Sequence, residues 1–286
     1  MAASRLNGVI GGLEAGRHVF AAFAPPEPAA AIEFSTTAYD ALVFETEHRP
    51  WDATALRDSL QYLLNRRQIF EAESLAPART PLVRIPVNGV EKAQWHAKQA
   101  LDLGAYGIVW PHIASVEEAR NAVAACRFPR LPDDPRFEPA GLRGDGPTAA
   151  ARYWGVSNAE YYARSDVWPL DPDGEILVVI MIEDQRGIEN LPAILDQVPG
   201  IGLVLIGEGD MSQELGIPRQ YEHPRMRECK RRILEICGER GVAVGHPHVT
   251  AGNVEQVLAD GYRFLMSAPV RTHPALDLGR TLTGRA

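Results

Sequence analysis

The run Ile176-Leu-Val-Val-Ile-Met-Ile-Glu183 is apolar throughout until a carboxylate closes it, and its reading decides the architecture. A strand buried on both faces shows an unbroken apolar run rather than an alternation, as in parallel sheets covered by helices. The stretch Leu203-Val-Leu-Ile-Gly-Glu-Gly-Asp210 repeats the pattern, again with a carboxylate just past the strand. A carboxylate is costly to hold there unless something pairs with it, and two of them on successive strands could share one cation.

Upstream, the same rhythm recurs. His18–Ala24 reads as a first strand ended by Pro25-Pro26, with an Ala-rich helix from about Glu27 to Ser35. Ala41–Glu47 is a second strand, followed by His48. Asp52 is placed to cap a helix whose Leu56, Leu60, Leu63 and Leu64 share a face. Residues Arg66–Thr80 are polar and without clear period. Pro81–Val87 is a third strand carrying Arg84, Glu91–Leu103 a helix stopped by Gly104, Gly107–Ile113 a fourth strand, and Val116–Cys126 a helix capped by Ser115.

Downstream of Glu183, Ile188, Leu191, Ile194, Leu195 and Val198 mark one face of a helix. A longer helix spans His223–Arg240, a seventh strand Val242–His248, a helix Asn253–Ala259, and an eighth strand Tyr262–Ala268. Eight strands, most followed by a helix, predict an α/β protein with the (β/α)8 TIM-barrel fold. A doubly wound open sheet is the alternative, disfavoured because no GxGxxG follows the first strand. We expect one domain over residues 1–286, with an irregular insertion at about 127–157 and a C-terminal tail at about 271–286. A connection as long as that insertion, without periodicity, is functional or disordered, and a short helix Asn158–Ser165 follows it.

Composition narrows the function classes. At 45% hydrophobic and 23% charged, the chain is ordinary for a soluble globular protein. A net charge of −8 argues against nucleic acid, and the short Lys230-Arg231-Arg232 run reads as a solvated helix face. Cys126, Cys229 and Cys237 have no CxxC spacing, which fits a reducing, cytoplasmic setting. Glu14, Arg17, Pro25, Pro26 and Glu27 interrupt the N-terminal apolar residues, so neither a secretory signal nor a membrane span is expected.

In a barrel the C-terminal ends of the strands meet on one face, gathering Glu45, Glu47, His48, Arg84, His112, Glu183, Asp210, His246 and His248. Oxygen ligands favour Mg2+ or Mn2+ at Glu183 and Asp210; the bland alternative pairs each carboxylate with an arginine or a helix N-terminus. Arg84 could grip a substrate carboxylate, or simply bridge to Glu45 or Glu47. His48 is suited to moving protons near neutral pH, or to a structural hydrogen bond. Asp102, at a helix end, is unremarkable in isolation.

Taken together, Ala41–Asp52, Pro81–Pro86, Leu101–Val109, Gly141-Leu-Arg-Gly144, Ile182-Glu183 with Glu189-Asn-Leu191, Ile206–Ser212 and Gly261–Phe264 resemble, in order, the motifs of the HpcH/HpaI aldolases, the metal-dependent class II pyruvate aldolases. The resemblance runs from about Val19 to Val270. It implies a (β/α)8 barrel assembled as trimers or hexamers, with the last helix exchanged between neighbours. The implied reaction is reversible cleavage of a 2-keto-4-hydroxy acid to pyruvate, or a related 2-keto acid, and an aldehyde.

Carried onto this chain, the resemblance assigns the divalent metal (Mg2+ or Mn2+, with Co2+ or Zn2+ as alternatives) to Glu183 and Asp210. Arg84 would bind the keto acid and steady the enolate oxygen. His48 would be the acid/base, oriented by Asp102, and the backbone around Gly207, Gly209 and Asp210 would cradle the substrate carboxylate. The chain departs from the family pattern at Glu45, usually Asp, at Met181, usually Gln, and at Gly207-Glu-Gly-Asp210, usually Gly-Pro-Ala-Asp. An oxaloacetate decarboxylase or condensing synthase using the same enolate chemistry is the second reading. A non-catalytic barrel that binds a keto acid or a partner is the third.

Overall fold

The structure, a computed structural model, describes residues 5–86, 94–267 and 273–285. Each continuous apolar run becomes a strand with both faces covered. The strands are β1 (Val19–Ala24), β2 (Ala41–Glu45), β3 (Thr80–Arg84), β4 (Gly107–Trp110), β5 (Val167–Trp168), β6 (Ile176–Ile182), β7 (Leu203–Ile206), β8 (Ala243–Val249) and β9 (Phe264–Ser267). The first helices are α1 (Gly8–Glu14), α2 (Pro28–Phe34), α3 (Ala53–Leu63), α4 (Arg66–Glu71), α5 (Gln94–Asp102) and α6 (Val116–Ala125). There follow α7 (Thr148–Trp154), α8 (Asn158–Arg164), α9 (Gln185–Gln197), α10 (Glu208–Glu214), α11 (Pro224–Glu239), α12 (Val254–Ala259) and α13 (Pro274–Leu282). Val87, Glu91 to Ala93 and Ala268, expected in strand or helix, lie outside the described residues.

All pairings are parallel, in the order β4-β3-β2-β1-β9-β8-β7-β6, and β4 pairs back onto β6. The sheet is therefore closed, which makes this a (β/α)8 barrel and excludes the open alternative. The short β5 is an addition, pairing at Ile176 and Leu177, just before β7 joins β6 at Val179.

Alternate residues of each strand serve two cores. Leu177, Val179 and Met181 point into the barrel with Val43, Leu82, Val109, Leu203, Leu205 and Phe264, while Val178, Ile180 and Ile182 face the surrounding helices. Helix α1 adds Val9 and Ile10 to the inner core. It is capped by buried Asn7, whose side chain accepts from the amides of Val9 and Ile10 and donates to the carbonyls of Tyr106 and Glu175. On α3, Leu56, Leu60 and Leu63 are buried, each contributing roughly 1.5–3 kcal/mol. The caps read from sequence are in place: Asp52 accepts from Thr54 and Ala55, and Ser115 from Glu118.

The insertion is ordered. Buried Arg127 binds both oxygens of Asp166, at 2.7 and 2.9 Å, and the carbonyls of Arg136 and Pro139. A charge-assisted fork of this kind holds a segment that has no apolar face of its own. The segment also contains α7, absent from the sequence reading. Part of the expected C-terminal tail is helix α13, whose Gly279 packs so tightly on Phe20 that a Cβ would stand 2.5 Å from its ring. Among the described residues no helix is long and apolar enough to cross a membrane.

Candidate active site

Strands β6 and β7 are neighbours with Ile182 opposite Ile206, so the next residues of both emerge side by side at the C-terminal mouth. Glu183 follows β6 directly, and Asp210 lies in the first turn of α10. Between them is Gly207, where an added Cβ would stand 2.1 Å from Glu183 Oε1; glycine is what leaves room for the carboxylate. Glu183 is 4% exposed, and its Oε2 accepts the backbone amide of His112 at 2.6 Å. Burial pushes its carboxyl up to about 7; the His112 amide opposes this and nearby Asp210 adds to it. One ligand atom each from His112, Glu183 and Asp210 lie within 4.8 Å of one another. Among the described residues, the ion-pair partner of Glu183 is His112 Nε2 at 3.8 Å, with no lysine or arginine in that range. A buried carboxylate with no cation of its own beside an exposed one fits a divalent ion.

Across the mouth, the parallel register sets Glu45 opposite Arg84. The Arg84 guanidinium bridges Glu45, meets Glu47 Oε2 at 3.1 Å, and lies over the Phe23 ring at 4.5 Å. Both salt bridges considered from sequence are thus present, yet Arg84 Nε is buried without a hydrogen-bond partner among the described residues. Met181, where an amide was expected, offers Arg84 only its sulfur at 3.9 Å, a weak acceptor. Glu47 is held above the usual carboxylate range by burial, against the pull of Arg84 and with a further push from Glu183.

His48 stands at the rim, 66% exposed, with Nε2 at 3.6 Å from Glu47 Oε2. Asp102 is not with it. That carboxylate ends α5 and accepts from Arg143 Nη2 at 3.1 Å. Within this chain the carboxylate facing His48 is Glu47. Gly209 has open space where a side chain would be.

Two features escaped the sequence reading. His112, noted only as an extra imidazole, sits with the two carboxylates. Glu208, 0% exposed, turns away from the mouth to Lys230 Nζ at 2.8 Å and His248 Nδ1 at 2.7 Å, with His246 Nε2 at 3.8 Å. Lys230 therefore departs from the expected solvated face: its side chain is 11% exposed. Its place in the basic run Lys230-Arg231-Arg232 masked this, since position alone does not show that it faces β8. His246 is buried beside this group, and burial lowers its imidazole to about 4.

Comparison with known proteins agrees with this arrangement. The HpcH/HpaI aldolase/citrate lyase pattern matches residues 20–268. A 2-keto-3-deoxy-L-rhamnonate aldolase of Klebsiella pneumoniae is 31% identical over 232 residues, covering 81% of this chain and 74% of that protein. A hydroxypyruvate/pyruvate aldolase of Roseobacter denitrificans is 29% identical over 230 residues, covering 80% and 77%. Among solved structures, an HpcH/HpaI aldolase/citrate lyase family protein from Burkholderia cenocepacia superposes with a TM-score of 0.71 at 25% identity, covering 93% of this chain and 91% of that one. With a closed barrel, a carboxylate pair at its mouth and a pattern match over most of its length, the chain belongs to the HpcH/HpaI aldolase/citrate lyase family and is a carbon–carbon lyase.

Proposed function

We propose that the protein reversibly cleaves a 2-keto-4-hydroxy acid to pyruvate, or a close 2-keto acid, and an aldehyde, with a divalent cation held by Glu183 and Asp210. The observation that carries this reading is the buried carboxylate of Glu183, which among the described residues has no arginine or lysine within ion-pair distance and lies within reach of Asp210. When bound, the cation supplies a Lewis acid for the negative charge that develops on the keto oxygen in the enolate.

The side chains supply the rest. Arg84, fixed by Glu45 and Glu47, holds its guanidinium at the mouth to bind the keto acid. The amides at the start of α10, around Gly207, Gly209 and Asp210, receive the substrate carboxylate, with Gly209 carrying no side chain in the way. During cleavage His48 takes the proton from the 4-hydroxyl as the C3–C4 bond breaks to give the aldehyde and the enolate. A proton delivered to the enolate carbon releases pyruvate, and condensation runs both transfers in reverse. The rim position of His48 gives exchange with solvent, and Glu47 takes the orienting place the resemblance assigned to Asp102. A divalent ion from the set Mg2+, Mn2+, Co2+ and Zn2+, a trimeric or hexameric assembly and a cytoplasmic location are parts of the same proposal, supported by the family's habits.

The test is pyruvate release from 2-keto-4-hydroxy acids with Mg2+, Mn2+ or Co2+ added and after exhaustive EDTA treatment. We expect release to depend on the ion; undiminished release without metal overturns the mechanism. Arg84→Lys should lower the rate about 10²–10³-fold, because a point charge cannot replace the fixed guanidinium at the oxyanion.

A further inference from the structure

We infer that His112 is a third protein ligand of the cation at Glu183 and Asp210, and that it biases the site away from Mg2+ towards ions that bind imidazole well, such as Co2+ and Zn2+. This rests on the proposed cation site, and the experiment below separates the two.

Geometry is the first support. His112 contributes one of three ligand atoms mutually within 4.8 Å. Three ligands about 2.0–2.2 Å from a common ion are at most roughly 3.8 Å apart all round, so the widest separation closes by about 1 Å or less to complete the site. The imidazole is half-buried at the end of β4, with Nε2 3.8 Å from Glu183 Oε2 and 3.7 Å from Glu47 Oε1.

The backbone is the second support. His112 has φ of +55°, in the left-handed region that is uncommon for residues with a Cβ, although histidine visits it more often than most. Its own amide binds Glu183 Oε2 at 2.6 Å, and the next amide, of Ile113, binds the carbonyl of Met181 at 3.1 Å. The unfavourable conformation is thus over-determined by hydrogen bonds to β6 and to the residue that follows it. Strain retained in this manner marks a side chain whose placement matters. The result is one nitrogen joined to two carboxylates. Mg2+ prefers an all-oxygen shell, whereas imidazole raises affinity for later first-row ions.

The experiment is calorimetric titration of the metal-stripped protein with Mg2+, Co2+ and Zn2+, alongside the visible absorption of the Co2+ form, in wild type, His112→Asn, His112→Gly and Glu183→Gln. Asparagine and glycine both accept positive φ, so the backbone turn survives without the imidazole. Losing an orienting partner of a ligand already costs 10–100-fold in affinity, so losing the ligand itself should weaken Co2+ and Zn2+ binding at least about tenfold. Mg2+ affinity should change less than about threefold, since imidazole contributes little to it. The Co2+ spectrum should shift in both His112 variants. An equal loss for all three ions, or no loss and an unchanged Co2+ spectrum, overturns the assignment of His112. If Glu183→Gln leaves binding of all three ions intact, the cation site itself is wrong, and the inference falls with it.

Discussion

Glu183 and Glu208 are both buried, 4% and 0% exposed, and both follow inner-barrel strands at the same mouth, yet their carboxyls behave in opposite ways. Burial raises both. At Glu183 the net result is a carboxyl pushed up to about 7, because burial, with repulsion from Asp210 and Asp184, outweighs the His112 amide and Arg84. At Glu208 the hydrogen bond from His248, the nearby His246 and the contact with Lys230 outweigh burial, and the carboxyl falls below the usual range. Glu208 is already paired with Lys230 and hydrogen-bonded to His248. Glu183 stands beside exposed Asp210 with no lysine or arginine in ion-pair range among the described residues, which is what the proposed cation would balance. Depth of burial alone therefore does not tell a paired acid from an unpaired one; the charge balance around the carboxylate separates the two.

The sharpest way to break this contrast is to remove each acid. Glu208→Ala leaves Lys230 and His248 without their partner, and breaking a buried pair in this way costs about 3–5 kcal/mol, read from the denaturant midpoint. Glu183→Gln has the opposite sign: in metal-free protein at pH 8 it should gain on the order of 1–3 kcal/mol, while Mg2+ and Co2+ no longer raise the melting temperature. Destabilisation by both variants would erase the distinction.

The same contrast has a pH signature. Glu183 keeps its proton to about 7 in the fold against an ordinary 4.5, so between those values the metal-free fold binds more protons than the unfolded chain. Its contribution is full below about 4.5 and is lost as pH rises towards 7, by up to about 1.4 kcal/mol per pH unit. A divalent ion should accordingly raise the melting temperature more at pH 8 than at pH 5. For Glu208, lowered in the fold, the contribution is present above 4.5 and is lost on acidification below it. The smallest expected effect is that of Gly207→Ala. Its Cβ would meet Glu183 Oε1 at 2.1 Å, and the shifted carboxylate should weaken metal affinity about tenfold, measured by calorimetry.

The barrel was legible because its strands are continuous apolar runs and its helices repeat at helical spacing; Ile176–Ile182 and the caps Asp52 and Ser115 fall where expected. Helix α4 was not legible, because none of its residues is buried and Phe70 is 84% exposed, so it has no apolar face to leave a period. In α1 the signal was short, a capping asparagine before Val9 and Ile10. The insertion read as irregular because it is held by Arg127 and Asp166, a pairing across chain-distant residues that has no local pattern.

For the site, residue types and positions at strand ends were enough to bring Glu183, Asp210, Arg84 and His48 to one mouth, since parallel closure forces those ends together. Three-dimensional packing was needed to show that Asp102 pairs with Arg143, that Glu47 faces His48, that Lys230 reaches inward to Glu208, and that His112 joins the carboxylates. The physical reason is range. Strand and helix periods are set by backbone geometry within a few residues and survive in a linear reading. Which charge meets which depends on side-chain direction and on the register of elements far apart in the chain, and small differences in those decide whether a buried acid is paired or left to bind a metal.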